Sequence, residues 1–197
     1  MFTEKTDNFI YFQSKLKAKM SRYTKSFIVP YELKNFKNAL VPSAKFATVY
    51  VMSKIEGKWF ILVHKRSGVM THAFKYSSQG GHREEGETSL ECAKRELREE
   101  TGLEVKGNGY LFSRDDNPKF ANYVFFMKPD DIVEGTKGPQ SKFEIEIDMD
   151  NDFSDIRRSL IITGTGHCLM DIEANINNKA LYWNFKNNLY YLMDLLR

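Results

Sequence analysis

Near the start of the chain, Phe9, Phe12, Leu16, Met20, Tyr23 and Phe27 recur at intervals of three and four. That period puts them on one stripe of a helix, which Pro30 limits. From Lys45 the period shortens. Phe46 to Met52 is rich in Val, Tyr and Thr, Glu56-Gly57 reads as a turn, and Trp59 to Val63 resumes the extended pattern, so a β-hairpin is predicted. Gly80 and Gly81 read as a loop ahead of the next helix. Thr88 opens that helix with a capping box, its hydroxyl accepting one free amide while Glu91 reaches back to another. Leu90, Ala93 and Leu97 supply its apolar stripe, and Gly102 can take the left-handed conformation that closes it.

Further strands are predicted at Tyr110 to Phe112 and Tyr123 to Met127, around a loop holding Asp115, Asp116 and Pro118. Phe143 to Met149 alternates strictly, with Glu144, Glu146 and Asp148 on the outer face of a half-buried strand. That acidic row reads as charge on an edge strand, which blocks sheet-to-sheet aggregation. Ile161 to Met170 reads as a strand broken by Gly164 and Gly166, and Lys179 to Arg197 as a terminal amphipathic helix.

Composition narrows the function classes. The 197 residues are 42% hydrophobic, enough for one sizeable core and against global disorder. The longest stretch free of formal charge, Ser159 to Met170, falls well below the roughly 18 residues that span a bilayer. The first residues lack the apolar core of a signal peptide, and two cysteines are too few for a disulfide framework, so a cytoplasmic protein is expected. The net charge of +3 is too small to argue for nucleic acid, but it is unevenly spread, and residues 1–44 hold eight basic against three acidic side chains. This basic segment invites an RNA reading. Its apolar stripe points instead to docking on its own domain or on a second subunit, a homodimer.

The chemistry concentrates after Gly80. Glu96, Glu99 and Glu100 stand at i, i+3 and i+4 of the predicted helix, so three carboxylates leave from one face. Such crowding becomes favourable when a hard divalent cation neutralises it, and Mg²⁺ or Mn²⁺ pairs a few carboxylates with waters and substrate phosphates. The two glycines permit close backbone approach to a ligand.

Residues 81–103 resemble the Nudix box, G-x5-E-x7-R-E-U-x-E-E-x-G-U with U aliphatic. Gly81, Glu87, Arg95, Glu96, Leu97, Glu99, Glu100, Gly102 and Leu103 fill every specified position. The resemblance implies an α/β fold, an α/β/α sandwich with a mixed β-sheet, over residues 45–197; residues 1–44, the partly helical extension read from periodicity, lie outside it. It implies hydrolysis of a diphosphate in a nucleoside diphosphate linked to another moiety X, with Mg²⁺ or Mn²⁺ as cofactor. Glu99 and Glu100 would be metal ligands, Glu96 a ligand or the carboxylate that helps activate water, and Gly80 a carbonyl donor. Arg95 and Glu87 would hold loop and helix together.

The family's common W-x-x-P-G-G lead is absent, its place taken by Lys75-Tyr-Ser-Ser-Gln79-Gly-Gly. Lys65 and Arg66 stand where the family often has a basic residue near the phosphates. His82 could hydrogen-bond phosphate or water. His64, His72 and His167 have no metal-ligand spacing and read as structural, and Cys92 reads as a packing residue. Two other readings of the chain are an mRNA-decapping Nudix hydrolase using the basic segment and a catalytically silent nucleotide sensor.

Overall fold

The computed structural model describes residues 44–68, 70–112, 119–141 and 153–197. The amphipathic N-terminal helix, the Asp115–Asp116 loop and the alternating strand with Glu144, Glu146 and Asp148 lie outside the described residues.

The predicted hairpin forms and runs longer than its pattern suggested, as β1 (Phe46–Ile55) and β2 (Lys58–Lys65). Glu56 and Gly57 both take positive φ, 51° and 80°, the tight two-residue reversal that matches strand twist. Two short strands follow, β3 (Tyr76–Ser77) on β2 and β4 (Gln79–His82) on β1. The two glycines are therefore strand and not loop. Gly80 has φ of 151°, and a Cβ there would stand 2.7 Å from the Thr48 backbone, so only glycine lets β4 lie this close to β1.

After α1 (Ser89–Thr101) come β5 (Tyr110–Leu111), β6 (Phe120–Phe126) and α2 (Pro129–Gly135). The segment read as one broken strand is an antiparallel pair, β7 (Leu160–Ile162) and β8 (His167–Asp171). Gly164 and Gly166 at φ of 77° and 68° reverse the chain between them. The short α3 (Ile172–Asn175) and the terminal α4 (Trp183–Leu195) complete the fold. Helix α4 begins later than its sequence pattern, because the preceding residues run alongside β3, with Tyr76 bridged to Leu181.

Strands line up as β5-β6-β1-β2-β8-β7, with β1 and β6 parallel and the other named pairs antiparallel, so the sheet is mixed. Alternation along β1 builds two cores. Ala47, Val49 and Val51 join Cys92, Ala93 and Leu97 of α1 and Ile132 of α2, while Tyr50 and Met52 join Ile172 of α3 and Phe185, Leu189 and Leu192 of α4. Helices thus cover both faces, an α/β/α sandwich. Deleting a buried anchor such as Leu97 to Ala would cost about 2–5 kcal/mol. Among the described residues no helix is long and apolar enough to cross a membrane.

Candidate active site

Helix α1 presents the acidic row because both its ends are sealed. The Thr88 amide donates to Glu91 Oε2 at 2.8 Å, and the Glu91 amide to the Thr88 hydroxyl at 3.2 Å, which completes the capping box. Gly102 closes the far end at φ of 72°, its amide donating to Arg98 O at 2.7 Å. Ala93 and Leu97 bury one face against β1, β4 and β6. Glu96, Glu99 and Glu100 are left toward β4 and the loop before the helix.

Arg95 organises the group. Its Nε and Nη2 donate to the two oxygens of Glu87 at 2.9 and 3.2 Å, and Nη1 donates to Glu96 at 2.8 Å and Glu99 at 3.0 Å. A further Nη2 bond of 2.9 Å reaches the carbonyl of His82 at the end of β4. One guanidinium therefore ties the preceding loop, β4 and two carboxylates of the helix together. Glu100 is held separately, Oε2 accepting from the Gly80 amide at 3.2 Å. Gly81 leaves room for Glu96, since a Cβ on it would fall 2.5 Å from the Glu96 carboxyl carbon. An open groove of about 610 Å³ runs beside Glu87 and Arg95, with Lys94 and Arg98 along it.

Charge states follow from this packing. Burial raises the Glu96 carboxyl above its ordinary value and the negative charges of Glu99 and Glu87 add to that, against the opposing pull of Arg95. For Glu87 burial also pushes upward, but the Arg95 hydrogen bonds and charge, with the Glu84 amide, outweigh it and leave the carboxyl below the usual range. Arg95 is itself raised, first by its bond to Glu87. Burial, then Glu87 and Glu96, push the Cys92 thiol up to about 12, which removes it as a nucleophile at neutral pH.

Among the described residues no three His, Cys, Asp or Glu side chains stand ready around a metal. The reason is visible: Glu96 and Glu99 lean on Arg95, and Glu100 on the Gly80 amide. The donor set nevertheless fits a hard divalent cation, because it consists of oxygens alone and Gly81 provides the space a side chain would fill. Beside it, Gln79 is fully buried with neither amide atom partnered among the described residues, a polar group the sequence pattern did not flag.

The other anticipated residues lie apart. Lys65 stands 5.8 Å over the Tyr76 ring, and Arg66 donates Nε to Thr71 O at 3.1 Å and lies 5.2 Å over Tyr182, so neither joins the Arg95 cluster. His82 contributes its carbonyl, while its ring packs 4.2 Å from Phe46. His64 and His167 pair across β2 and β8.

A NUDIX domain family model matches residues 45–158, more than half the chain. The chain belongs to the Nudix family, and it is a hydrolase of that family with every specified position of the motif present. Among solved structures it is similar to a mutT/nudix family protein from Listeria innocua at 16% identity, covering 77% of this chain and 91% of that one, with a TM-score of 0.47. A C. elegans Ap4A hydrolase gives 15% identity, 78% and 98% coverage and 0.47. The NUDIX domain of Shewanella oneidensis NrtR, complexed with ADP ribose, gives 12%, 90% and 98%, and 0.48. No curated protein matches the chain.

Proposed function

We propose that residues 45–197 form a divalent-metal-dependent hydrolase of nucleoside diphosphates linked to another moiety X. The observation that carries this reading is the Arg95 hub, which holds Glu87, Glu96 and Glu99 together at the end of β4 while Gly80 holds Glu100. Mg²⁺ or Mn²⁺, held by Glu99, Glu100 and the Gly80 carbonyl, would neutralise phosphate charge and lower the pKa of water. Glu96, with its carboxyl raised by burial, is suited to take the proton as water attacks phosphorus. A new P–O bond forms to water, the diphosphate P–O bond breaks, and each product leaves with a phosphate. Glu87 and Arg95 position the carboxylates and do not react. Lys65, Arg66 and His82 serve the substrate, which requires side chains at the ends of β2 and β4 to meet it beyond the carboxylate cluster.

The two cysteines, too few for a disulfide framework, fit a reducing cytoplasm. The alternative to this substrate reading is an mRNA-decapping hydrolase, motivated by the excess of basic residues in 1–44.

The test is mass-spectrometric detection of products from nucleoside triphosphates, dinucleotides, nucleotide sugars and capped RNA, with Mg²⁺ or Mn²⁺. Glu99→Gln and Glu100→Gln should abolish turnover while the fold persists. Normal turnover in both variants at saturating metal would overturn the assignment. Deleting residues 1–44 should weaken cleavage of capped RNA more than that of a free cap analogue, and equal losses would remove the RNA reading.

A further inference from the structure

The chain has 26 acidic residues, yet 64–83 and 174–193 contain none. The first stretch carries Lys65, Arg66, Lys75 and Arg83, the second Lys179 and Lys186. The fold joins them along a seam. The Tyr76 amide donates to Ala180 O and the Tyr182 amide to Tyr76 O, both at 2.9 Å, and Lys75 Nζ donates to Lys179 O at 2.7 Å.

Aromatic rings gather on this seam. Arg66 lies 5.2 Å over Tyr182, His72 packs 4.9 Å from the same ring, and Trp183 meets Tyr182 edge-on at 5.8 Å. Trp183 at 58% and Phe74 at 50% are the two most exposed large apolar side chains among the described residues. Scattered exposed rings need no explanation, but these are held by an unusual backbone. His72 and Phe74 both take left-handed φ, 59° and 60°, which side chains with a Cβ adopt only at a cost. The Phe74 amide is fixed to Arg66 O at 2.9 Å, and its ring sits over Gly68, where a Cβ would come within 2.9 Å of it. Strain kept in a tied loop so that a ring faces water points to a binding role.

Exposed rings edged by cations, with no carboxylate in either segment, complement a flat aromatic group that carries negative charge. We infer that Arg66, His72, Phe74, Tyr182 and Trp183 form a stacking platform for the nucleobase of a nucleotide, with the cations meeting its phosphates. This deepens the diphosphate-hydrolase reading, on which it rests for the nature of the substrate.

The test is equilibrium binding to the full chain in EDTA, so that no turnover intervenes. A Trp59→Phe background leaves Trp183 as the only tryptophan, and the probes are ADP, GDP and UDP, inorganic pyrophosphate as the base-free control, and a single-stranded RNA of ten nucleotides. At least one nucleotide should quench Trp183. By isothermal titration calorimetry, Phe74→Asn, which tolerates left-handed φ, and in the unmodified background Trp183→Ala, should weaken that nucleotide about tenfold or more and leave pyrophosphate unchanged. Quenching by RNA that falls steeply with salt and exceeds that of every mononucleotide would assign the base to an RNA end. Absence of quenching by all nucleotides and RNA, or equal affinity in the variants, would overturn the platform. Turnover that depends on Glu99 with no quenching would defeat the platform alone, whereas quenching with no turnover of any diphosphate would uphold it and defeat the hydrolase reading.

Discussion

Arg95 grips Glu87 with two parallel hydrogen bonds, Nε to one carboxylate oxygen at 2.9 Å and Nη2 to the other at 3.2 Å. Only a guanidinium offers that fork while a third nitrogen still reaches Glu96 and Glu99. Arg95→Lys should therefore lower stability by about 1–3 kcal/mol at pH 7. Glu87 is held below the usual carboxylate range, so the stabilisation is present above the unfolded pKa and disappears as pH falls through the folded one. Thermal unfolding of both proteins from pH 7 down to pH 3 checks this. Equal melting temperatures at pH 7 would remove the hub from the account.

The contrast between what the sequence disclosed and what it hid is physical. The motif lies within 23 consecutive positions of one loop and helix, so Thr88, Glu91 and Gly102 already encode the capped helix, and the spacing of Glu96, Glu99 and Glu100 its acidic face. Hidden were contacts set by tertiary packing. That Gly80 and Gly81 form a strand depends on β1 lying against them, and the amphipathic pattern before Trp183 could not reveal that residues 180–182 bind to β3. The links from Arg95 to Glu99 and to the His82 carbonyl likewise need the turn of the helix and the end of β4 in three dimensions.

Glycine at 81 is a steric requirement of the carboxylates, and glycine at 86 is not. Gly81→Ala drives a methyl group against the Glu96 carboxylate, which must swing away from Arg95. Turnover should fall about a hundredfold, the scale of a misplaced catalytic group. Gly86 has φ of 80° and nothing near its added Cβ, so Gly86→Ala should cost only about 1–2 kcal/mol of backbone strain. Steady-state kinetics with melting curves for both variants separates the two, and an unchanged kcat in Gly81→Ala would contradict the steric argument.

His64 and His167, paired in register on β2 and β8, set an acid limit on the fold. Burial lowers His64 to about 3, with the charges of His167 and Arg66 adding to it, and burial lowers His167 to about 4 against the Thr165 carbonyl. Both are neutral when folded but protonate near 6.5 when unfolded. Stability is therefore complete above pH 6.5 and declines as pH falls from there toward 4, where the unfolded chain binds more protons. His64→Phe should be neutral at pH 7 and more stable than the parent by about 1–2 kcal/mol at pH 5. Urea unfolding at the two pH values measures the difference, and a parallel offset at both would deny the linkage.

Divalent cations should stabilise the fold through the same carboxylates. Without metal, Arg95 brings one positive charge to Glu87, Glu96 and Glu99, so the acidic face retains net repulsion. A cation that binds the folded state alone, at about 100 times its Kd, adds roughly 2.7 kcal/mol. For a chain of this length that is a rise in melting temperature of about 5–10 °C. Glu99→Gln and Glu100→Gln each remove a donor, and each should shrink the rise in Mg²⁺ or Mn²⁺. The metal-free melting temperature should stay level or increase, because one repulsive charge has gone. Calorimetry with EDTA and then with saturating metal reads this without any substrate. Equal metal-induced shifts in parent and variants would place the cation elsewhere on the molecule.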